Sequence, residues 1–98
     1  MFIGTLKVDL LLGDVHSLKQ KRSIVKPLLR DIKRRFDVAA AEVDHHDLHR
    51  RAELGMAVVG ADAGHCREVL AAAERAVVER PEVEVLSTRQ RLFNEEDV

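Results

Sequence analysis

Residues 2–12 read FIGTLKVDLLL. Phe2, Gly4, Leu6, Val8, Leu10 and Leu12 fall on one side of a period-two alternation, with Thr5, Lys7 and Asp9 on the other. Such alternation predicts a strand with one buried and one wet face. Gly13 and Asp14 end it. Everything downstream has to cover that apolar face.

The next segment is suited to the task. Ser17 is a good helix N-cap, and Gln20 three residues on completes a capping-box pattern. Leu18, Val25, Leu28, Leu29, Ile32 and Phe36 then recur within about 100° of a helical projection, one stripe that can face a core. Pro27 interrupts the pattern, because an internal proline cannot donate to the carbonyl four residues back. Either the helix bends there, or residues 17–22 make a separate first turn.

Residues 37–43 (DVAAAEV) fit a short strand, 44–51 (DHHDLHRR) a polar loop, and 52–59 (AELGMAVV) a second alternating strand closed by Gly60. Asp62 can cap a second helix, in which Cys66, Val69, Leu70, Ala73 and Val77 form an apolar face. Pro81 ends that helix near Glu79, because it disfavours helix at Arg80. Residues 82–92 (EVEVLSTRQRL) read as a last strand, and the acidic segment 94–98 is expected to fray. Strand, helix, strand, strand, helix, strand is two βαβ-type halves. Their natural closure is a ferredoxin-like α+β sandwich, a four-stranded antiparallel sheet with both helices on one face, in a single domain over residues 1–93.

Composition sets bounds on function. The chain has 98 residues, 46% hydrophobic and 34% charged, apolar enough to build one core. Its lone cysteine, Cys66, excludes an internal disulfide and fits a reducing compartment. The N-terminal strand lacks the basic start of a signal peptide, and no run approaches a membrane span. A cytoplasmic protein with no membrane association is expected.

The charge is unevenly placed. The formal net charge is −1, yet residues 16–35 hold eight Lys or Arg against the single acid Asp31, net +7, and residues 36–98 carry net −7. On a regular helix Lys19, Arg22, Lys26, Arg30 and Lys33 fall within about 80° of arc, with Arg34 beside them. Lys21 falls off this ridge, and joins it only if the first turn is separate. Arg22/Lys26 and Lys26/Arg30 are like-charge pairs at helical spacing, which weaken a helix. A ridge of this kind attracts polyanions. The competing explanation is a solvated face offset by the acidic remainder of the domain. The outer sheet face carries Thr5, Lys7, Asp9, Ala57 and Gln90 or Arg89, with no Tyr or Trp, so the stacking platform of sheet-based RNA readers is missing. Contacts with RNA would be directed at the backbone.

Other clusters weigh less. His45, His46, Asp47 and His49 crowd one loop after Asp44, but there is no second ligand pair at zinc-motif distance. Asp14 and His16 are better explained by local hydrogen bonding than by acid–base catalysis. Cys66 is expected in the core. The five glycines fit no phosphate-cradling loop, and no cofactor or small-molecule substrate is implied.

The stretches HSLKQKRSIVKPLLRDIKRRF (16–36) and VAAAEVDHHDLHRRAELGMAVVGAD (38–62) resemble the YlxP-like family of small bacterial proteins, a domain of unknown function. The resemblance covers essentially the whole chain and implies a ferredoxin-like fold, a cytoplasmic location, and gene neighbours in translation initiation and ribosome maturation. It brings no catalytic residues. This chain has His49 where the family often has Trp after Asp47-Leu48. The function expected is a non-enzymatic binding protein meeting RNA or the ribosome through Lys19, Lys21, Arg22, Lys26, Arg30, Lys33 and Arg34. A protein-interaction module or homodimer using the basic helix and open sheet face is the alternative. A metal-dependent enzyme built on the His45–His49 loop ranks last.

Overall fold

A computed structural model of the chain describes residues 1–97, the side chain of Asp97 excepted. The elements run β1 (Phe2–Leu12), α1 (Leu18–Phe36), β2 (Ala39–Asp44), β3 (Arg51–Gly60), α2 (Ala63–Val78) and β4 (Val83–Asn94), then a 3-10 turn over Glu95–Asp97. The four strands form one open antiparallel sheet in the order β2-β3-β1-β4. This is the expected ferredoxin-like α+β sandwich.

The alternations decide which face is covered. Leu6, Val8, Leu10 and Leu12 of β1 and Ala52, Leu54, Met56 and Val58 of β3 are buried. They meet Val25, Leu28 and Ile32 of α1 and Cys66, Leu70, Ala73, Ala76 and Val77 of α2 in one core. Gly4 brings β1 close to α2: a Cβ there would lie 2.8 Å from Leu70 Cδ1 and 3.4 Å from Cys66 Cβ.

Both helix starts follow the sequence. Ser17 Oγ accepts the backbone N–H of Gln20 at 3.1 Å, and Gln20 Oε1 accepts the N–H of His16 at 2.6 Å. Asp62 Oδ1 accepts the N–H of Gly64 at 2.8 Å. Helix α1 runs unbroken through Pro27. Pro27 and Ser23 are both exposed, so the carbonyl deprived of its donor faces water. The end of α1 carries no glycine. Asp37 takes the left-handed conformation instead, φ 52° and ψ 48°, which short polar side chains tolerate. Buried Val38 follows and leads the chain into β2.

One feature of β4 is absent from the sequence pattern. Asp9 pairs with Ser87 but Leu10 with Val85, so Leu86 is an extra, bulged residue. Beyond the bulge the side-chain parity reverses. Arg89, opposite Lys7, and Arg91, opposite Thr5, therefore lie on the outer face, and Gln90, opposite Leu6, does not. After Asn94 closes β4, Glu95 donates its N–H to the Met1 carbonyl at 3.0 Å and sets its carboxylate 3.6 Å from the N-terminal ammonium. Val98, the last residue of the acidic segment, lies outside the described residues.

Candidate nucleic-acid interface

Helix α1 buries the stripe Val25, Leu28 and Ile32, with Ile24, Leu29 and Phe36 packed beside it. On its outer side Lys19, Arg22, Lys26, Arg30, Lys33 and Arg34 are all exposed. The first five make no ion pair with any acid among the described residues. The unbroken helix lines them up as one ridge.

Lys21 corrects the expected set. It is 2% exposed and sits in phase with the buried stripe, one turn before Val25. Its Nζ donates to the His45 carbonyl at 2.6 Å and lies 2.7 Å from Glu42 Oε2. The contact with Glu42 is out of line for a hydrogen bond, so it is an ion pair held by charge and burial. Lys21 therefore fastens α1 to β2 and to the loop after it, and no phosphate can reach it.

Arg34 is also partly engaged. Asp31 receives Arg34 at 3.2 Å, Arg35 at 3.3 Å and Arg80, from beyond α2, at 3.2 Å. Partial burial raises the Asp31 pKa, but hydrogen bonds from Arg35 and Arg34 and the charge of Arg80 outweigh it, leaving the carboxyl below its ordinary value. The only acid on α1 thus serves its C-terminal arginines and leaves the ridge uncompensated.

The histidine loop does not assemble a metal site. His45, in the left-handed region at φ 65°, turns its Nε2 to within 3.8 Å of Asp9 Oδ1 on the outer sheet face. His46 points back to the Glu42 carbonyl at 3.2 Å. Among the described residues no three His, Cys, Asp or Glu side chains cluster as ligands. Asp14 and His16 meet at 2.6 Å, but their side chains are 92% and 76% exposed, so the contact lies on the surface. Cys66 is buried in the core.

The outer sheet face is a shallow trough of about 580 Å³ with a floor of small residues, Ala39, Ala41, Gly55 and Ala57. A Cβ at Gly55 would lie 2.8 Å from Val43 Cγ1, so the floor is as low there as the neighbouring strand allows. Lys7, Arg89 and Arg91 stand along one side with Phe93, and the Arg91 guanidinium stacks 4.9 Å from the Phe93 ring centroid. Sequence reasoning missed Phe93, whose place on this face follows from the bulge. At the other end Asp9 binds Arg51 at 2.6 Å, and that hydrogen bond outweighs desolvation to raise the Arg51 pKa.

An open antiparallel sheet with two helices on one face and a cationic ridge on one of them defines an α+β sandwich that exposes its outer sheet face and that ridge. The chain belongs to the family described as "Protein of unknown function (DUF503)", which matches residues 3–90. It is similar to the uncharacterized protein YlxP of Bacillus subtilis (strain 168), at 28% identity over 91 residues, covering 93% of this chain and 99% of that one. Among solved structures it is similar to a mutant of SnoaB, a cofactor-independent oxygenase from Streptomyces nogalater, with a TM-score of 0.53 and 11% identity over 98% of this chain and 95% of the other. That likeness is one of fold. No helix among the described residues is long and apolar enough to cross a membrane.

Proposed function

We propose that the protein is a non-enzymatic, cytoplasmic RNA-binding protein, ribosome-associated, that grips phosphates with the ridge of α1. The observation that carries this is the row of five exposed cations, Lys19, Arg22, Lys26, Arg30 and Lys33, with no acidic partner among the described residues. Arg34 flanks the row and shares Asp31 with Arg35. Each phosphate neutralised releases condensed counterions, so affinity comes from salt-dependent entropy and carries little sequence information. The single aromatic of the outer face, Phe93, offers at most one stacking surface, which also favours backbone contact over base reading.

Titration of a labelled single-stranded RNA by fluorescence anisotropy, across salt, tests this. Five phosphate contacts predict a slope of log K against log salt of about −3.5, or about a hundredfold loss between 50 and 200 mM. Reversing charge at Arg22, Lys26 and Arg30 together should abolish binding at low salt without altering the circular dichroism. No detectable binding by the wild-type protein, or binding indifferent to that triple reversal, refutes the proposal.

A further inference from the structure

We infer that β4 is a self-pairing edge, and that its partner is the same strand of a second copy of this chain. β4 bonds β1 along one side only and forms an open edge of the sheet. It is twelve residues long against six for β2 at the other edge. Glu84 and every residue from Leu86 to Arg91 are exposed.

Edge strands often carry charge to repel a second chain. A row of one sign would do that here. The charges of β4 are instead sorted along the strand: Glu82 precedes it, Glu84 lies in its first half, and Arg89 and Arg91 in its second. An antiparallel copy therefore meets each sign with its opposite. Three of these four charges are also uncommitted among the described residues, Arg91 being stacked on Phe93. The carboxylates of Glu82 and Glu84 and the guanidinium of Arg89 have no ion pair among the described residues.

The bulge makes the register possible. In a regular strand residues an odd number apart lie on opposite faces, so Glu84 and Arg89 could not sit opposite each other across a two-fold axis. With Leu86 bulged, Glu84 (opposite Leu11) and Arg89 (opposite Lys7) share the outer face, while Val85 (opposite Leu10) and Thr88 (opposite Val8) share the inner one. A two-fold axis centred between Leu86 and Ser87 then sets Glu84 against Arg89 of the second copy, and Val85 against Thr88, with faces matched throughout. Glu82 falls beside Arg91. Because the interface is isologous, every pair occurs twice. The product is a continuous eight-stranded sheet with both helix layers on one side and both α1 ridges uncovered. The inference is independent of RNA binding.

The test is analytical ultracentrifugation of the full chain across a concentration series, with two single reversals and their combination. Wild-type protein should sediment as a concentration-dependent dimer that weakens with added salt. Glu84→Arg and Arg89→Glu should each raise the dimer dissociation constant at least tenfold. The double variant Glu84→Arg with Arg89→Glu recreates both pairs in exchanged order and should recover most of the loss. Hydrogen exchange should slow in residues 84–90 as concentration rises. A wild-type monomer at every soluble concentration overturns the inference. So does a double variant no better than the singles, or a dimer whose β4 amides exchange as fast as the monomer's. Loss of dimer on reversing Arg22, Lys26 and Arg30 would place the contact on α1 and overturn it equally.

Discussion

Replacing Lys21 with methionine separates a lysine that holds the fold from those that face outward. The ammonium lies 2.7 Å from Glu42 Oε2 and 2.6 Å from the His45 carbonyl, and the lysine side chain is 3% exposed against 19% for Glu42. Methionine fills nearly the same volume, so the cavity contribution is small. The cost comes from a carboxylate left without its counter-charge. Removing one partner of a buried pair costs about 3–5 kcal/mol. Water reaches part of Glu42, which places this case toward or below the lower bound, at about 2–3 kcal/mol. For a domain of this size each kcal/mol moves the melting temperature by about 4–8 °C, so a fall of about 8–24 °C is expected. Thermal and urea unfolding followed by circular dichroism measure it. Adding Glu42→Leu to Lys21→Met should bring stability back to within about 1 kcal/mol of wild type, because an apolar pair often replaces a buried ion pair without loss. The RNA salt slope should not change in folded Lys21→Met. Lys26→Met should do the reverse, leaving stability within about 0.5 kcal/mol and making the slope shallower by about 0.7. If Lys21→Met unfolds at the wild-type temperature yet flattens the salt slope as Lys26→Met does, Lys21 belongs to the ridge and its structural role is refuted.

Two further outcomes follow from the packing. Asp31→Asn should lower the melting temperature at neutral pH, because Arg34, Arg35 and Arg80 lose their common anion. The folded-state pKa of Asp31 is depressed, so its contribution is present above the unfolded carboxylate pKa and is lost as pH falls through the folded value. The gap between wild type and variant, measured by calorimetry, should therefore close in strong acid; a gap that stays constant refutes the charge explanation. Gly4→Ala should destabilise by about 1–3 kcal/mol in urea, since the added Cβ would sit 2.8 Å from Leu70 Cδ1 and 3.3 Å from Val58 Cγ1. Adding Leu70→Ala to it should cost less than the sum of the two single losses, because the second change makes room for the first.

What could be read from the chain follows from the range of each interaction. The alternation of β1 and β3, the caps Ser17 and Asp62 and the apolar face of α2 are local patterns, and each stands in the fold as the pattern demands. Pro27 left two courses open because local rules weigh only the lost bond. Packing of Val25, Leu28 and Ile32 on either side of it favours an unbroken helix. The burial of Lys21 was half visible: its angular position excluded it from the ridge and matched the stripe, but only the tertiary fold supplies Glu42 and the His45 carbonyl. The bulge at Leu86 had no local signal at all. It is a property of β4 paired with β1, and it alone decides that Arg89, Arg91 and Phe93 share the trough.

The ridge is the one part of α1 that the fold does not account for. Its apolar stripe, its Ser17 cap and its Lys21 clamp each lower the energy of the sandwich. The pairs Arg22/Lys26 and Lys26/Arg30 raise it, by about 0.2–0.5 kcal/mol each. Glutamate in place of Lys26 would turn both repulsions into attractions at no steric cost, since the position is exposed. The domain has carboxylates available, and where it uses one on this helix, at Asp31, three arginines converge on it. Neutralising the ridge was therefore open to this fold in chemical terms. Lys26→Glu should stabilise the isolated protein by about 1 kcal/mol and, if the ridge binds RNA as proposed, weaken that binding; such an opposition of stability and binding distinguishes a surface kept for a partner from one that is merely solvated.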